Sequence, residues 1–166
     1  MDVFATHFAS SSFNLDCLGP EMAGCDEACV PGDDYGACHP RQALAFLRGL
    51  SDDAVLQLVV GDLNRPIGDS RIGTLIDAGF IDTYLAAGRP ECDPKTGLGC
   101  SCCVEGGLPL AGLDDPAARF TERIDFVLAR PEVGCSLSVD PGTTDHWADR
   151  PLDSPVEGLW LSLIHI

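Results

Sequence analysis

The pattern of apolar and polar positions along the 166-residue chain predicts short strands that alternate with helices. Residues 2–8 (DVFATHF) and 55–60 (VLQLVV) are short, mostly apolar runs that are typical of buried strands. Between them, apolar side chains recur at helical spacing after Pro40, which suits the first turn of a helix. The apolar positions of this predicted helix are Ala43, Phe46, Leu47 and Leu50.

The remainder of the chain continues this alternation. A second helical pattern covers residues 71–80, and Gly79 marks the place where such a helix ends. Two further apolar runs, 124–128 and 135–139, predict strands. The intervening segments are rich in Gly, Pro, Ser, Asp and Cys and lack apolar periodicity, so we expect long loops at 9–38 and 88–119. This order of elements indicates a mixed α/β fold.

The composition fits a folded acidic domain. Apolar residues make up 45% of the chain and charged residues 22%, which is too apolar for a disordered acidic tail. The formal net charge is −16, so the chain repels polyanions at long range unless metal ions bridge the two. An enzyme that binds cations with local carboxylates and cleaves phosphate esters remains compatible with this charge. No apolar stretch reaches the roughly 18 residues of a membrane-spanning helix, and no transmembrane segment is predicted.

The chain contains nine cysteines, a density that is typical of oxidising compartments. We therefore expect disulfides and an extracellular or periplasmic location. The odd number leaves at least one thiol unpaired within the chain, and the sequence does not give the connectivity. Zinc binding is the main competing interpretation because Cys100, Cys102 and Cys103 are close together, although adjacent cysteines fit the usual ligand spacing poorly.

Polar residues interrupt the predicted strands at four places. His7 closes the first strand, and Asp62 and Asn64 follow the second. Residues 81–84 (IDTY) follow a helix, and Asp125 lies among apolar neighbours in the late strand. A carboxylate at such a position is costly to bury unless it is paired with a cation, a histidine or a metal.

Each of these sites also has an ordinary structural interpretation. Asp62 and Asn64 are residues that form turns by bonding to their own backbone. A salt bridge with Arg123 or Arg130 would explain Asp125. A single histidine at a strand end is more often structural than catalytic.

Taken together, the order and spacing of these sites resemble the endonuclease/exonuclease/phosphatase family of metal-dependent phosphohydrolases. This family includes DNase I-like nucleases, neutral sphingomyelinases and inositol-polyphosphate phosphatases. The resemblance implies a four-layer α/β sandwich of two mixed sheets, with the active site at the strand ends on one edge. The matching segments are ATHF with His7, Arg41-Gln42, VVGDLN at 59–64, IDTY at 81–84 and ERIDFVLAR at 122–130.

The resemblance also implies a role for each residue. Asp62 would orient or deprotonate the attacking water and is the one metal ligand expected in the chain. Asn64 would bind the scissile phosphate, and His7 would stabilise that phosphate or protonate the leaving oxygen. Asp125 would hold the family's last histidine in its working tautomer. Mg²⁺ is the ion that an all-oxygen site of this kind prefers, with Mn²⁺ or Ca²⁺ as alternatives.

The chain departs from the family pattern at both ends. The early Asn and the metal-binding Glu of the family are absent, so residues 1–162 correspond to the C-terminal portion of a family domain. Residues 163–166 resemble an artefactual tail. The closing Ser-Asp-His motif is either cut off after residues 158–162 or, as a weaker alternative, represented by Asp145 and His146. We therefore expect little or no turnover from this fragment alone.

Two hypotheses follow from the sequence. The first is a fragment of a secreted or periplasmic Mg²⁺-dependent phosphohydrolase that acts on a phosphodiester or phosphomonoester. Its substrates would be nucleic acid, phospholipid headgroups or inositol phosphates, and no stable protein partner is implied. The second is a disulfide-stapled extracellular binding module, with calcium as a ligand, that has no catalytic activity. The enzyme requires the residues of the four sites to converge, whereas the binding module does not.

Overall fold

A computed structural model describes residues 1–8, 16–17, 25–30, 34–50, 55–104, 119–140, 145–146 and 164–165. Its content is mixed α/β, as the sequence predicts. The helices are α1 (Tyr35–Leu50), α2 (Ser70–Asp77) and α3 (Thr83–Ala86). The strands are β1 (Asp2–Ala5), β2 (Leu56–Asp62), β3 (Ile81–Asp82), β4 (Cys102–Val104), β5 (Phe120–Glu122), β6 (Asp125–Pro131), β7 (Asp145–His146) and β8 (Ile164–His165).

The central element is a mixed four-stranded sheet with the strand order β1-β2-β6-β3. Strands β1 and β2 are parallel, and α1 lies between them in the chain. Strand β6 is antiparallel to both of its neighbours, β2 and β3. The pairs β4-β5 and β7-β8 form separate two-stranded sheets. This arrangement brings the end of β1, the end of β2 and the start of β6 to the same edge of the central sheet.

The hydrophobic core lies between this sheet and the helices α1 and α2. Phe126, in strand β6, is 1% exposed. The predicted apolar face of α1 is only partly buried, because Phe46 is 52% exposed and Leu50 is also exposed. The ring of Phe46 lies 5.3 Å from that of Phe4 at the outer strand. The buried core residues are Phe8, Ala43, Leu44, Leu47, Val59, Leu63, Ile72, Leu75, Phe80, Phe126 and Leu128.

Helix α1 begins at Tyr35, five residues earlier than Pro40 leads us to expect, so Pro40 lies inside the helix. The cause is an aspartate cap: Asp34 Oδ1 accepts a 2.7 Å hydrogen bond from the Ala37 backbone N–H. Asp34 also forms a 2.6 Å ion pair with Arg71 at the start of α2, which fixes this end of α1. The first turn of α1 has no apolar periodicity, so the spacing of apolar residues does not predict that the helix begins there.

Helix α2 confirms the second helical prediction. Asp69 caps its N-terminus by accepting a hydrogen bond from the Arg71 N–H. Gly79 follows its C-terminus with a φ of 91°, a conformation that favours glycine. No helix in the described part of the chain is long and apolar enough to span a membrane.

The strand predicted at residues 135–139 is wrong. Strand β6 ends at Pro131, and a turn follows in which the Cys135 N–H bonds to the Glu132 carbonyl. Val133 is fully exposed, and Cys135 is exposed as well. The apolar alternation of this segment therefore has no core against which to pack. The predicted loop at 88–119 also contains a strand, β4, which pairs with β5.

Six of the nine cysteines form three disulfides, which fit an extracellular setting. The pairs are Cys17–Cys25, Cys29–Cys38 and Cys92–Cys100. Cys102, Cys103 and Cys135 are unpaired. The unpaired thiol that the odd number requires is thus accompanied by two more.

Candidate active site

The chain that follows β1 carries His7 to the end of β2. Backbone N–H groups of Thr6 and Phe8 each donate a 2.9 Å hydrogen bond to a β2 carbonyl, the second of them to Asp62. These bonds extend the parallel pairing beyond β1 and hold His7 beside Asp62. His7 Nε2 lies 3.5 Å from Asp62 Oδ2. The His7 side chain is 73% exposed and that of Asp62 is 34% exposed, so both are accessible to a ligand.

Gly61 is the residue that allows this approach. Its φ is +135°, a backbone conformation that residues other than glycine rarely adopt. A Cβ atom built at Gly61 would overlap the backbone carbonyl oxygen of Thr6. The glycine before Asp62 therefore lets the two backbones come together at the point where His7 meets Asp62.

Asp62 and Asn64 form the turn that their residue types allow. Asp62 Oδ1 accepts a 2.8 Å hydrogen bond from the Asn64 N–H, and Asn64 has a positive φ of 53°. The Asn64 side-chain amide donates a 2.7 Å bond to the Phe8 carbonyl. The turn thus ties the loop after β2 to the segment that carries His7, and Asp62 keeps Oδ2 directed to His7.

Asp125 lies directly opposite Asp62 in the antiparallel pairing of β2 and β6. Side chains of such partners project from the same face of a sheet. Asp125 Oδ2 accepts a 2.7 Å hydrogen bond from the Ser101 hydroxyl, and Ser101 Oγ in turn accepts bonds from the Ile124 and Asp125 N–H groups. Ser101 precedes β4 and brings that loop to the same edge.

The salt bridge considered for Asp125 is not formed. Arg123 binds Asp82 and Glu91 instead. Arg130 donates to the Gln57 side chain and to a backbone carbonyl. Among the described residues, Asp125 therefore lies near Asp62 without an arginine partner.

The pKa of Asp125 is raised above its usual value. Burial of the carboxyl group is the largest cause, and the negative charge of Asp62 adds to it. The hydrogen bond from Ser101 and the proximity of His7 oppose the rise. An acid with a raised pKa in the folded state costs stability when it is ionised, because the unfolded chain holds the charge more easily.

We expect Asp125→Asn to stabilise the protein at pH 7. Asn removes the buried charge and keeps an oxygen that can accept from Ser101. The gain should disappear as the pH falls below the ordinary Asp pKa of about 3.9, because Asp125 is then protonated in both the folded and the unfolded chain. Urea unfolding of wild type and variant across this pH range measures the effect. Asp77→Asn, at the exposed end of α2, is the control; a less stable Asp125→Asn at pH 7 would contradict the prediction.

The sequence analysis did not place Ser101, Cys102 or Cys103 at this site. Burial raises the pKa of Cys102, and Cys103, Asp62 and Asp125 each add to the rise. Cys102 is therefore a protonated thiol close to the acidic pair at neutral pH. The signal in the sequence was the CSCC segment at residues 100–103. Its last two residues begin β4, and the pairing of β4 with β5 brings Ser101 to the start of β6.

Asp62, the one metal ligand that the sequence predicts, lies at this edge, with Asn64 next to it in the turn and Asp125 opposite it on the paired strand. Asp62 Oδ2 and Asn64 Oδ1 take no part in the hydrogen bonds of the turn. Asp125 Oδ1 likewise takes no part in the hydrogen bond from Ser101. Hard oxygen donors of this kind suit Mg²⁺, which commonly keeps several waters and takes one or two carboxylates. Within the described ranges, the only group of three His, Cys, Asp or Glu ligand atoms within 4.8 Å of one another is a cysteine cluster. Among the described residues, His7, Asp62 and Asp125 therefore do not form such a group of three ligand atoms.

Asp145 and His146, the weaker alternative for the closing motif, lie in a separate two-stranded sheet. Asp145 and His146 form β7, which pairs with β8 rather than with the central sheet. The segment at 158–162 lies outside the described residues. Part of the predicted tail, Ile164–His165, forms β8.

No protein-family model, no curated protein and no solved structure matches the chain.

Proposed function

We propose that the chain is part of a metal-dependent phosphohydrolase whose active site is the edge formed by His7, Asp62, Asn64 and Asp125. The observation that supports this most strongly is the 3.5 Å separation of His7 Nε2 and Asp62 Oδ2, two groups on different strands. Both side chains are accessible, so neither is committed to the core. The exposed pair contributes little to stability, which leaves chemistry as the better explanation of its geometry.

In this proposal each residue has a distinct task. Asp62 Oδ2 holds the metal ion and orients the attacking water. Asn64 is fixed by its bond to Phe8, with its side-chain oxygen outside that bond. His7 donates a proton to the phosphate or to the leaving oxygen, and its reach to Asp62 sets the direction of its ring. When bound, Mg²⁺ supplies positive charge that offsets the charge of the phosphoryl oxygens.

Asp125 has a different partner from the one that the resemblance implies. The resemblance gives it the task of orienting a histidine, and the described residues provide Ser101 as its partner. Its position opposite Asp62 and its raised pKa are typical of a carboxyl group whose ionisation depends on a nearby cation or imidazolium. We propose that Asp125 supports the site from the neighbouring strand.

The proposal includes the fold and the setting of the family. The central sheet would form one of the two sheets of a DNase I-like four-layer sandwich, with residues 1–162 as its C-terminal portion. The three disulfides support an extracellular or periplasmic location. The net charge of −16 disfavours duplex DNA as a substrate.

The test is hydrolysis of bis(p-nitrophenyl) phosphate and p-nitrophenyl phosphate by the protein expressed from its full reading frame. We expect turnover with Mg²⁺, Mn²⁺ or Ca²⁺ and loss of turnover with EDTA. The 166-residue chain alone should be nearly inactive under the same conditions. Absence of turnover from the full protein with all three ions would overturn the proposal. Calcium binding by calorimetry in such an inactive protein would favour the binding module.

A further inference from the structure

Four cysteines form a buried cluster of sulfur atoms that is separate from the main core. Its members are Cys17, Cys25, Cys29 and Cys38, and three of them are less than 10% exposed. The Sγ atoms of Cys17, Cys29 and Cys38 lie within 4.8 Å of one another, and Cys25 is bonded to Cys17. The two disulfides therefore lie side by side, with all four sulfur atoms in one small volume.

This arrangement is close to what a tetrahedral zinc site requires. Zn–S bonds of about 2.3 Å place the four sulfur atoms of such a site roughly 3.8 Å apart. The separation of Cys25 and Cys29 by three residues falls within the usual ligand spacing of zinc sites. Three of the four Sγ atoms already lie within 4.8 Å of one another, and the fourth, that of Cys25, must move away from Cys17 to complete a tetrahedron.

The backbone around the cluster is arranged to stabilise negatively charged sulfur. Cys38 is in the first turn of the 16-residue helix α1, where the helix dipole favours a thiolate. The Asp26 N–H donates a 3.3 Å hydrogen bond to Cys29 Sγ. Neutral disulfide sulfur gains little from either feature, whereas a metal-bound thiolate gains from both.

We propose that, in the reduced chain, Cys17, Cys25, Cys29 and Cys38 bind one Zn²⁺ ion in a tetrahedral site. The two disulfides and the metal are alternative ways of closing the same cluster. A phosphine reductant converts each disulfide into two thiols, as the phosphine takes up the oxygen of a water molecule and becomes a phosphine oxide. Binding of Zn²⁺ then releases the four thiol protons to solvent.

The other cysteines provide internal controls. Among the described residues, the two sulfurs of the Cys92–Cys100 disulfide have no third His, Cys, Asp or Glu ligand atom within 4.8 Å of both. The vicinal thiols Cys102 and Cys103 likewise form no group of three ligand atoms. We therefore expect these cysteines not to compete with the four-sulfur cluster for the metal.

The first experiment adds Co²⁺ to the 166-residue chain after reduction with tris(2-carboxyethyl)phosphine. We expect the visible absorption of tetrahedral cobalt thiolate to saturate at one equivalent and to vanish when Zn²⁺ is added. The double variant Cys92→Ser/Cys100→Ser should bind in the same way, whereas Cys17→Ser/Cys38→Ser should not. Equal loss of the cobalt signal in both double variants would overturn the proposal.

A second experiment uses the unaltered chain, so it does not depend on the folding of variants. The reduced chain is treated with a maleimide with and without Zn²⁺, and the modified cysteines are identified by mass spectrometry. We expect Zn²⁺ to slow modification of the four cluster cysteines by about 100-fold and to leave the other five unchanged. Protection of Cys102 and Cys103 instead, or of no cysteine, would overturn the proposal.

Discussion

Replacing Asp62 with Asn should lower kcat for metal-dependent phosphoester hydrolysis by about 10³-fold while changing the free energy of unfolding by less than about 1 kcal/mol. The two effects separate because the two oxygens of Asp62 have different partners. Oδ1 accepts the N–H of Asn64 in the turn, and Oδ2 approaches His7. Asn retains an oxygen for the turn and removes the charge that the metal and the imidazole require.

The matched control is Asp69→Asn. Asp69 also uses Oδ1 to accept a backbone N–H, in this case from Arg71 at the start of α2. It lies after Asp62 in the same loop, and its ion-pair partners among the described residues are Arg65 and Arg71. The measurement is kcat and KM for bis(p-nitrophenyl) phosphate in the full reading frame, with urea unfolding of the same samples. Normal kcat in Asp62→Asn would remove the role proposed for the carboxylate.

The convergence of His7 with Asp62 could be anticipated from the sequence because both residues stand at strand ends. Strand ends are a small set of places, and parallel neighbours bring them to one edge. The turn at Asp62 and Asn64 could also be predicted from the sequence, since these residue types form hydrogen bonds with their own backbone. The sequence pattern did not reveal how closely the backbones approach, which depends on the positive φ of Gly61.

The start of α1 and the partner of Asp125 could not be obtained in this way. Tyr35 begins the helix because the Asp34 side chain caps it, and a cap leaves no mark in apolar periodicity. Ser101 reaches Asp125 through the pairing of β4 with β5, in a segment that is polar and rich in cysteine. Arg123 was close to Asp125 in the sequence but binds carboxylates from two other segments. Contacts between distant segments depend on tertiary packing rather than on local pattern.

Arg123 is a buried cation whose loss should lower the stability of the folded chain. It is 4% exposed and donates 2.6 Å hydrogen bonds to Asp82 Oδ2 and Glu91 Oε2, with a further bond of 2.9 Å from Nε to Glu91. Its guanidinium group also lies 5.2 Å from the centre of the Tyr84 ring and 4.6 Å from that of Phe126. One buried cation thus connects β3 and α3, the segment that follows α3, and the start of β6.

We expect Arg123→Ala to lower the free energy of unfolding by about 3 kcal/mol, because removal of one partner leaves a buried charge without compensation. Asp82 is the critical partner, since its side chain is only 5% exposed. Asp82 Oδ1 also caps α3 through the Tyr84 N–H, and Asn can retain that bond. The double variant Arg123→Ala/Asp82→Asn should therefore recover part of the lost stability.

The pH dependence of unfolding separates the ion pair from simple loss of packing. The hydrogen bond from Arg123 lowers the pKa of Glu91, so the pair stabilises the folded chain above the ordinary Glu pKa of about 4.3. This contribution is lost as the pH falls through the lowered pKa of the folded state, and Arg123→Ala should remove that part of the acid dependence. Urea unfolding at a series of pH values measures it, with exposed Arg119→Ala as the control. If Arg119→Ala and Arg123→Ala unfold at the same urea concentration, the buried arginine does not hold these segments together.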